Sequence, residues 1–161
     1  MRSRSLMLGV SVVLLSVSLV GCRRQATVET PSASDQQTQD ETNRFLTQQG
    51  VTLPAGAQRA YLSGGESNRG VATREATAKG YDYAIVTSLP QIKTGFYQAF
   101  IKDGNGAYIS LGKLTSGKGG YIGEASLNQT DLANYNIVEV SQETTKVTAP
   151  TNVVMAGTFG Q

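Results

Sequence analysis

From Gln58 onward, hydrophobic and polar positions alternate in short runs instead of recurring at helical spacing. Tyr81, Tyr83, Ile85 and Leu89 fall on one face of an extended strand by period-two alternation. The next run sets Phe96 and Phe100 on one face and Tyr97, Ala99 and Ile101 on the other, which predicts a central strand covered on both sides. Ile109 and Leu111 share a face in the run after it. Between these two runs lies Asp103-Gly104-Asn105-Gly106. Asn-Gly flanked by such runs is the strongest short-range hairpin signal, because a type I′ turn needs positive φ at both central residues. A hairpin system over 80–114 is therefore the element around which the chain is organised.

Shorter runs at 60–62 and 71–73 precede it, and runs at 121–127, 136–141 and 153–159 follow. Turn signals separate them at intervals of roughly ten residues, the spacing of an antiparallel sandwich or barrel. No stretch after residue 57 supports a helix of three turns. The 18 glycines are mostly placed where turns and bulges need them. The prediction is an all-β domain over 58–161, a single antiparallel, immunoglobulin-like β-sandwich of about eight strands.

The first 21 residues read differently. Arg2 and Arg4 form a positive start, residues 6–19 are apolar with interspersed Ser, and Leu19-Val20-Gly21-Cys22 closes the segment. This is a secretory signal, too short and too Ser-rich for a membrane span. Its end resembles the lipobox of bacterial lipoproteins. The resemblance implies that Cys22 is diacylglyceryl-modified, becomes the first mature residue and is also acylated on its amine. Cys22 is the one cysteine in the chain, so no disulfide can form and the exported domain rests on its core. Two or three acyl chains hold a protein on a membrane stably where one does not. Membrane lipid is thus the first expected partner, on the extracytoplasmic side of the plasma or outer membrane of a bacterial cell envelope.

Residues 22–57 are rich in Gln, Thr, Ser, Asp and Glu, with too few apolar positions to offset ordering. They read as the lipidated cysteine and a flexible tether, with residues 25–40 fully flexible. A short helix over 38–49 carrying Phe45 and Leu46 and stopped by Gly50, or plain linker, are the two readings of its end.

The formal net charge is +2, from 14 Lys and Arg against 12 Asp and Glu. Removing Arg2 and Arg4 with the signal leaves 12 against 12, a neutral mature chain. A phosphate-binding surface needs a clear basic excess, so nucleic acid is not expected as a partner.

From about Ala60 to Gly157 the sequence is similar to the extracytoplasmic C-terminal domain of the anti-sigma-K factor RskA family. The similarity is carried by Ser88-Leu89-Pro90, by Gly95-Phe96-Tyr97-Gln98-Ala99-Phe100-Ile101 and by Ser110-Leu111-Gly112. Val138-Glu139-Val140-Ser141-Gln142-Glu143, Pro150-Thr151 and Ala156-Gly157 continue it in the same order. Phe100 stands where the family has a Trp, which keeps apolar bulk and loses the indole N–H. The cytoplasmic sigma-binding half is missing. With no histidine and no second cysteine, the zinc site often found there cannot form. The resemblance therefore implies a β domain of the sensory or regulatory kind without direct sigma-factor sequestration. An envelope protein is the expected partner.

Candidate chemistry is sparse. Gly112-Lys113-Leu114-Thr115-Ser116-Gly117-Lys118-Gly119 approaches a P-loop but lacks the terminal Ser or Thr and a following helix. Asp103-Gly104-Asn105-Gly106 begins like a calcium loop, yet Tyr108 and Leu114 occupy positions that need Gly and Glu. The absence of histidine removes Ser-His-Asp and Cys-His catalysis. Glu66, Glu75, Glu139 and Glu143 could pair for glycoside chemistry, but they sit at turns or strand ends where solvated charge is expected. Glu143 is assigned a structural task, accepting a turn hydrogen bond, and Phe100 a structural place in the core. Tyr81, Tyr83, Tyr97 and Tyr108 cluster around the hairpin; exposed together, they would form a face for a partner. No cofactor is expected. The reading is a non-enzymatic contact module. A glycan- or small-ligand-binding module and a carboxylate-dependent hydrolase are the alternatives.

Overall fold

The computed structural model describes residues 33–65 and 67–160. Helix α1 (Ala33–Gln49) comes first. Nine strands follow: β1 (Gln58–Gly64), β2 (Asn68–Ala76), β3 (Tyr81–Thr87), β4 (Phe96–Lys102), β5 (Tyr108–Lys113), β6 (Thr115–Gly117), β7 (Gly120–Leu127), β8 (Ile137–Glu143) and β9 (Val153–Thr158). A 3₁₀ turn at Leu132–Asn134 separates β7 from β8. All pairings are antiparallel and join the nine strands into one sheet, ordered β5-β4-β8-β9-β1-β2-β3-β7-β6.

The sheet curls back on itself, close to a barrel or sandwich. Its two ends are one strand with a corner: only Leu114 separates β5 from β6. The Leu114 amide still donates to the Tyr97 carbonyl on β4, at 2.8 Å, while Thr115 already pairs with Ile122 on β7. A bulge at Leu111, where Ala99 faces Gly112 and Phe100 faces Ser110, helps turn that corner. On the other side β9 meets β1 at Ser63 and Ala156. Gly64 permits this approach, since a Cβ there would run into the Val154 carbonyl. This join makes one sheet of what would otherwise be two halves of a sandwich.

The core is built from the inward positions of every long strand. Ala60, Leu62, Ala72, Tyr83, Ile85, Tyr97, Ala99, Ile101, Val138, Val140 and Met155 are buried together, with Leu132 closing one end. Leu89, Leu111, Leu114 and Phe159 complete it. β4 is buried on both faces, and the cause is not a central place in the sheet. Its outer face is covered by the β8–β9 connection, whose Val147 carbonyl accepts from Gln98 Nε2 at 2.8 Å.

Two expectations need correction here. Residues 33–40 are not flexible tether: they are the first half of α1. Gln, Glu and Arg are good helix formers, and the C-terminus has a full Schellman cap. Gly50, at φ 68°, donates to the Thr47 carbonyl, and Val51 donates to the Leu46 carbonyl. One face of the helix then docks on β1 and β2 through buried Thr42 and Leu46, with Glu41 paired to Arg69 at 2.6 Å. Sparse apolar content was enough because the sheet supplies the partner surface. The hairpin turn also differs in type. Asn105 does not have positive φ; only Gly106 does, at 89°. Gly106 donates to the Asp103 carbonyl, and the Asp103 amide donates to the Ala107 carbonyl, so this is a type I turn with a Gly bulge. The Asp103 carboxylate accepts from the Asn105 and Ala107 amides, at 3.0 and 2.7 Å, which favours that turn over type I′.

Candidate functional site

The residues singled out by sequence fall into three places. Cys22 lies outside the described residues, as does Glu66. Tyr83 and Tyr97 point into the core and are buried, Tyr81 and Tyr108 are half-buried, and no exposed four-tyrosine face exists. The reason is register. Tyr81 and Tyr83 share the inward parity of β3 with Ile85, and Tyr97 shares that of β4 with Ala99 and Ile101. Tyr97 stacks edge-on against Tyr121 with centroids 4.7 Å apart, and its hydroxyl donates to the Pro90 carbonyl. Burial raises the pKa of both Tyr83 and Tyr97, with Tyr121 adding to the effect at Tyr97.

The outer faces of β4, β5 and β8 gather the motif-like residues. Phe100 is fully buried there, its ring edge-on to Tyr108 at 6.2 Å. Glu139 takes Lys102 Nζ at 3.3 Å and the Tyr108 hydroxyl at 3.1 Å. The Tyr108 and Glu139 contacts raise the Lys102 pKa, the reverse of what a nucleophilic lysine requires. Glu143 is only 3% exposed. Its carboxylate accepts from the Thr151 amide at 2.8 Å and the Thr151 hydroxyl at 2.5 Å. Burial pushes its pKa up, but the Thr151 amide and hydroxyl, together with the Ser141 side chain and the Asn152 amide, outweigh burial and hold it below the ordinary value. The expectation of solvated strand-end charge at Glu139 and Glu143 is therefore wrong. The β8–β9 connection and the β5 side chains cover both, and each carboxylate is committed to donors within the fold.

The P-loop-like stretch forms the end of β5, β6 and the turn into β7, with no helix after it. Among the described residues no group of three metal-ligating side chains converges. No described helix is long and apolar enough to cross a membrane.

One site was not anticipated. Arg74 faces inward at one end of the barrel and is 6% exposed. Its guanidinium sits 4.6 Å from the Phe159 ring centroid and 5.4 Å from that of Tyr81. Nη1 donates to the Leu132 and Tyr135 carbonyls, at 3.3 and 3.0 Å, which caps the 3₁₀ turn. Nε and Nη2 both reach one oxygen, Gln58 Oε1, at 2.9 and 2.6 Å. A cleft of about 480 Å³ opens beside it, lined by Gln58, Arg74, Glu75, Tyr81 and Ala133 among others. The register places it there: Arg74 opposes Tyr83, an inward residue, and shares the parity of buried Ala72 on β2.

No family model, curated protein or solved structure matches this chain.

Proposed function

We propose that the chain is a lipoprotein held on the extracytoplasmic side of a bacterial membrane by acylated Cys22, and that its β domain works by contact with an envelope protein and not by catalysis. The observation that carries the reading is Leu19-Val20-Gly21-Cys22 closing an apolar segment with Arg2 and Arg4 ahead of it, in a chain with one cysteine. The similarity to the RskA C-terminal domain supports a sensory or regulatory role for the part beyond Gln58. The commitments of Glu139 and Glu143 within the fold favour a structural use of the carboxylates. Helix α1 and β1 are separated by the eight residues 50–57, so in this reading the anchor leads into a docked helix and not directly into the sheet.

The test is metabolic labelling with an alkynyl fatty acid in a bacterial host. The wild type takes up label and stays with membranes after salt washing. Cys22→Ser takes up none and is not processed at this position. A labelled Cys22→Ser protein would refute the anchor. Turnover of ester or glycoside substrates by the purified wild type, abolished by Glu139→Gln or Glu143→Gln in a folded protein, would refute the non-catalytic reading.

A further inference from the structure

We propose that the cleft at Arg74 binds a carboxylate, which takes the Nε–Nη2 edge of the guanidinium in place of the Gln58 amide. This goes beyond the contact role above and does not depend on the anchor. The first ground is charge. Arg74 is a buried cation with no carboxylate in ion-pair range among the described residues. Its acceptors are one amide oxygen and two backbone carbonyls, all neutral. A buried charge without a counter-charge is costly, and two aromatic rings offset only part of that.

The second ground is geometry. The Nε–Nη2 edge of an arginine matches the two oxygens of a carboxylate, one per N–H. Here a single oxygen spans both donors, so each shares its acceptor. Gln58 is the first residue of β1 and exposed, so its side chain can leave without disturbing the core. Nη1 stays fixed on Leu132 and Tyr135, which holds the edge in place for an incoming group.

The cleft also sets the ligand class. Tyr81 offers an aromatic wall beside the cation, suited to an apolar substituent next to the carboxylate. Glu75 lines the same cleft and disfavours a second negative charge. A monocarboxylate with an apolar side chain fits, whether a free small acid or the C-terminus of a peptide, and a phosphate dianion does not.

The experiment uses the full acylated chain in detergent micelles at constant ionic strength. Amide NMR shifts are followed while N-acetyl-leucine, its amide and inorganic phosphate are added separately. A leucine-ended peptide with free or amidated C-terminus separates the two sources. Saturable shifts at Ala76, Tyr81 and Ala133 are expected for the carboxylates, with the amides and phosphate at least about tenfold weaker, or ~1.4 kcal/mol. Gln58→Glu supplies the missing carboxylate from the chain itself. It should melt at or above the wild type and bind N-acetyl-leucine at least about tenfold more weakly. Three results would each overturn the proposal: equal binding of acid and amide, equal binding of phosphate, or a Gln58→Glu protein that binds as wild type. A Gln58→Glu protein that melts below the wild type would do so as well, because the Arg74 charge would then already be balanced.

Discussion

Glu143→Gln is the substitution that most directly tests how the outer face of β4 and β8 is held. The carboxylate is 3% exposed and anchors the end of the β8–β9 connection through two donors of Thr151. Hydrogen bonds to a charged group contribute about 1.5–3 kcal/mol each. Glutamine keeps one accepting oxygen and turns an NH2 group toward the second donor, so one bond is lost and a donor faces a donor. The expected cost is about 2–3 kcal/mol, a large part of the ~5–15 kcal/mol typical of a whole domain. That corresponds to a fall in melting temperature of roughly 5–12 °C. The pH dependence has a definite sign. The folded pKa is lowered from the ordinary value of 4.5, so the unfolded chain takes up the proton first as pH falls. The stabilisation is complete above that ordinary value and is lost as pH falls through the lower folded one. Thermal melts of both proteins across the acid range should therefore converge at low pH. Thr151→Val removes the hydroxyl donor alone, and its cycle with Glu143→Gln should show coupling. A Glu143→Gln protein that melts with the wild type at neutral pH would refute the assignment.

Phe100→Ala should cost ~3–5 kcal/mol, read by urea denaturation, because the ring is fully buried and packs edge-on against Tyr108. Gly120→Ala should destabilise by about 1–3 kcal/mol, since a Cβ there drives into the Thr87 carbonyl across the β7–β3 ladder. Leu46→Ala should release α1 and leave the barrel folded. Limited proteolysis would then cut within 33–49, where the wild type resists, and unchanged resistance would show that Leu46 does not hold the helix to the sheet.

The β class was legible because period-two alternation is a local signal, and inward parity at Tyr81, Tyr83 and Ile85 is what the core uses. The closure was not. Nothing local in Lys113-Leu114-Thr115 says that the strand leaves β4 and joins β7, because the choice depends on where β3 and β8 lie. The strand β6 is only three residues long and its apolar content is nil, so alternation had nothing to register. The helix was half-legible: Gly50 marked its end correctly, but its length came from docking, and no count of its own apolar residues shows the surface it meets. The hairpin was read from Asn-Gly, yet the Asp103 carboxylate, two residues before Asn105, decided the turn type.

For the functional residues the obstacle was that exposure belongs to the assembled sheet. Four tyrosines near one hairpin looked like a surface patch, yet strand parity sends Tyr83 and Tyr97 inward. Glu143 ends its strand and looked solvated, but the connection that follows folds back over it. Arg74 inverts these cases. Arginine on a strand is expected outside, and its parity with Ala72 and Tyr83 was the evidence that it is not. An inward arginine can be kept only if the fold offers acceptors at that depth, and Leu132 in the 3₁₀ turn and Tyr135 just after it supply two. Those carbonyls fix the guanidinium but leave its charge unmatched. The barrel end at Arg74 is therefore where the fold is least complete by itself, and where a ligand's charge would change the balance most.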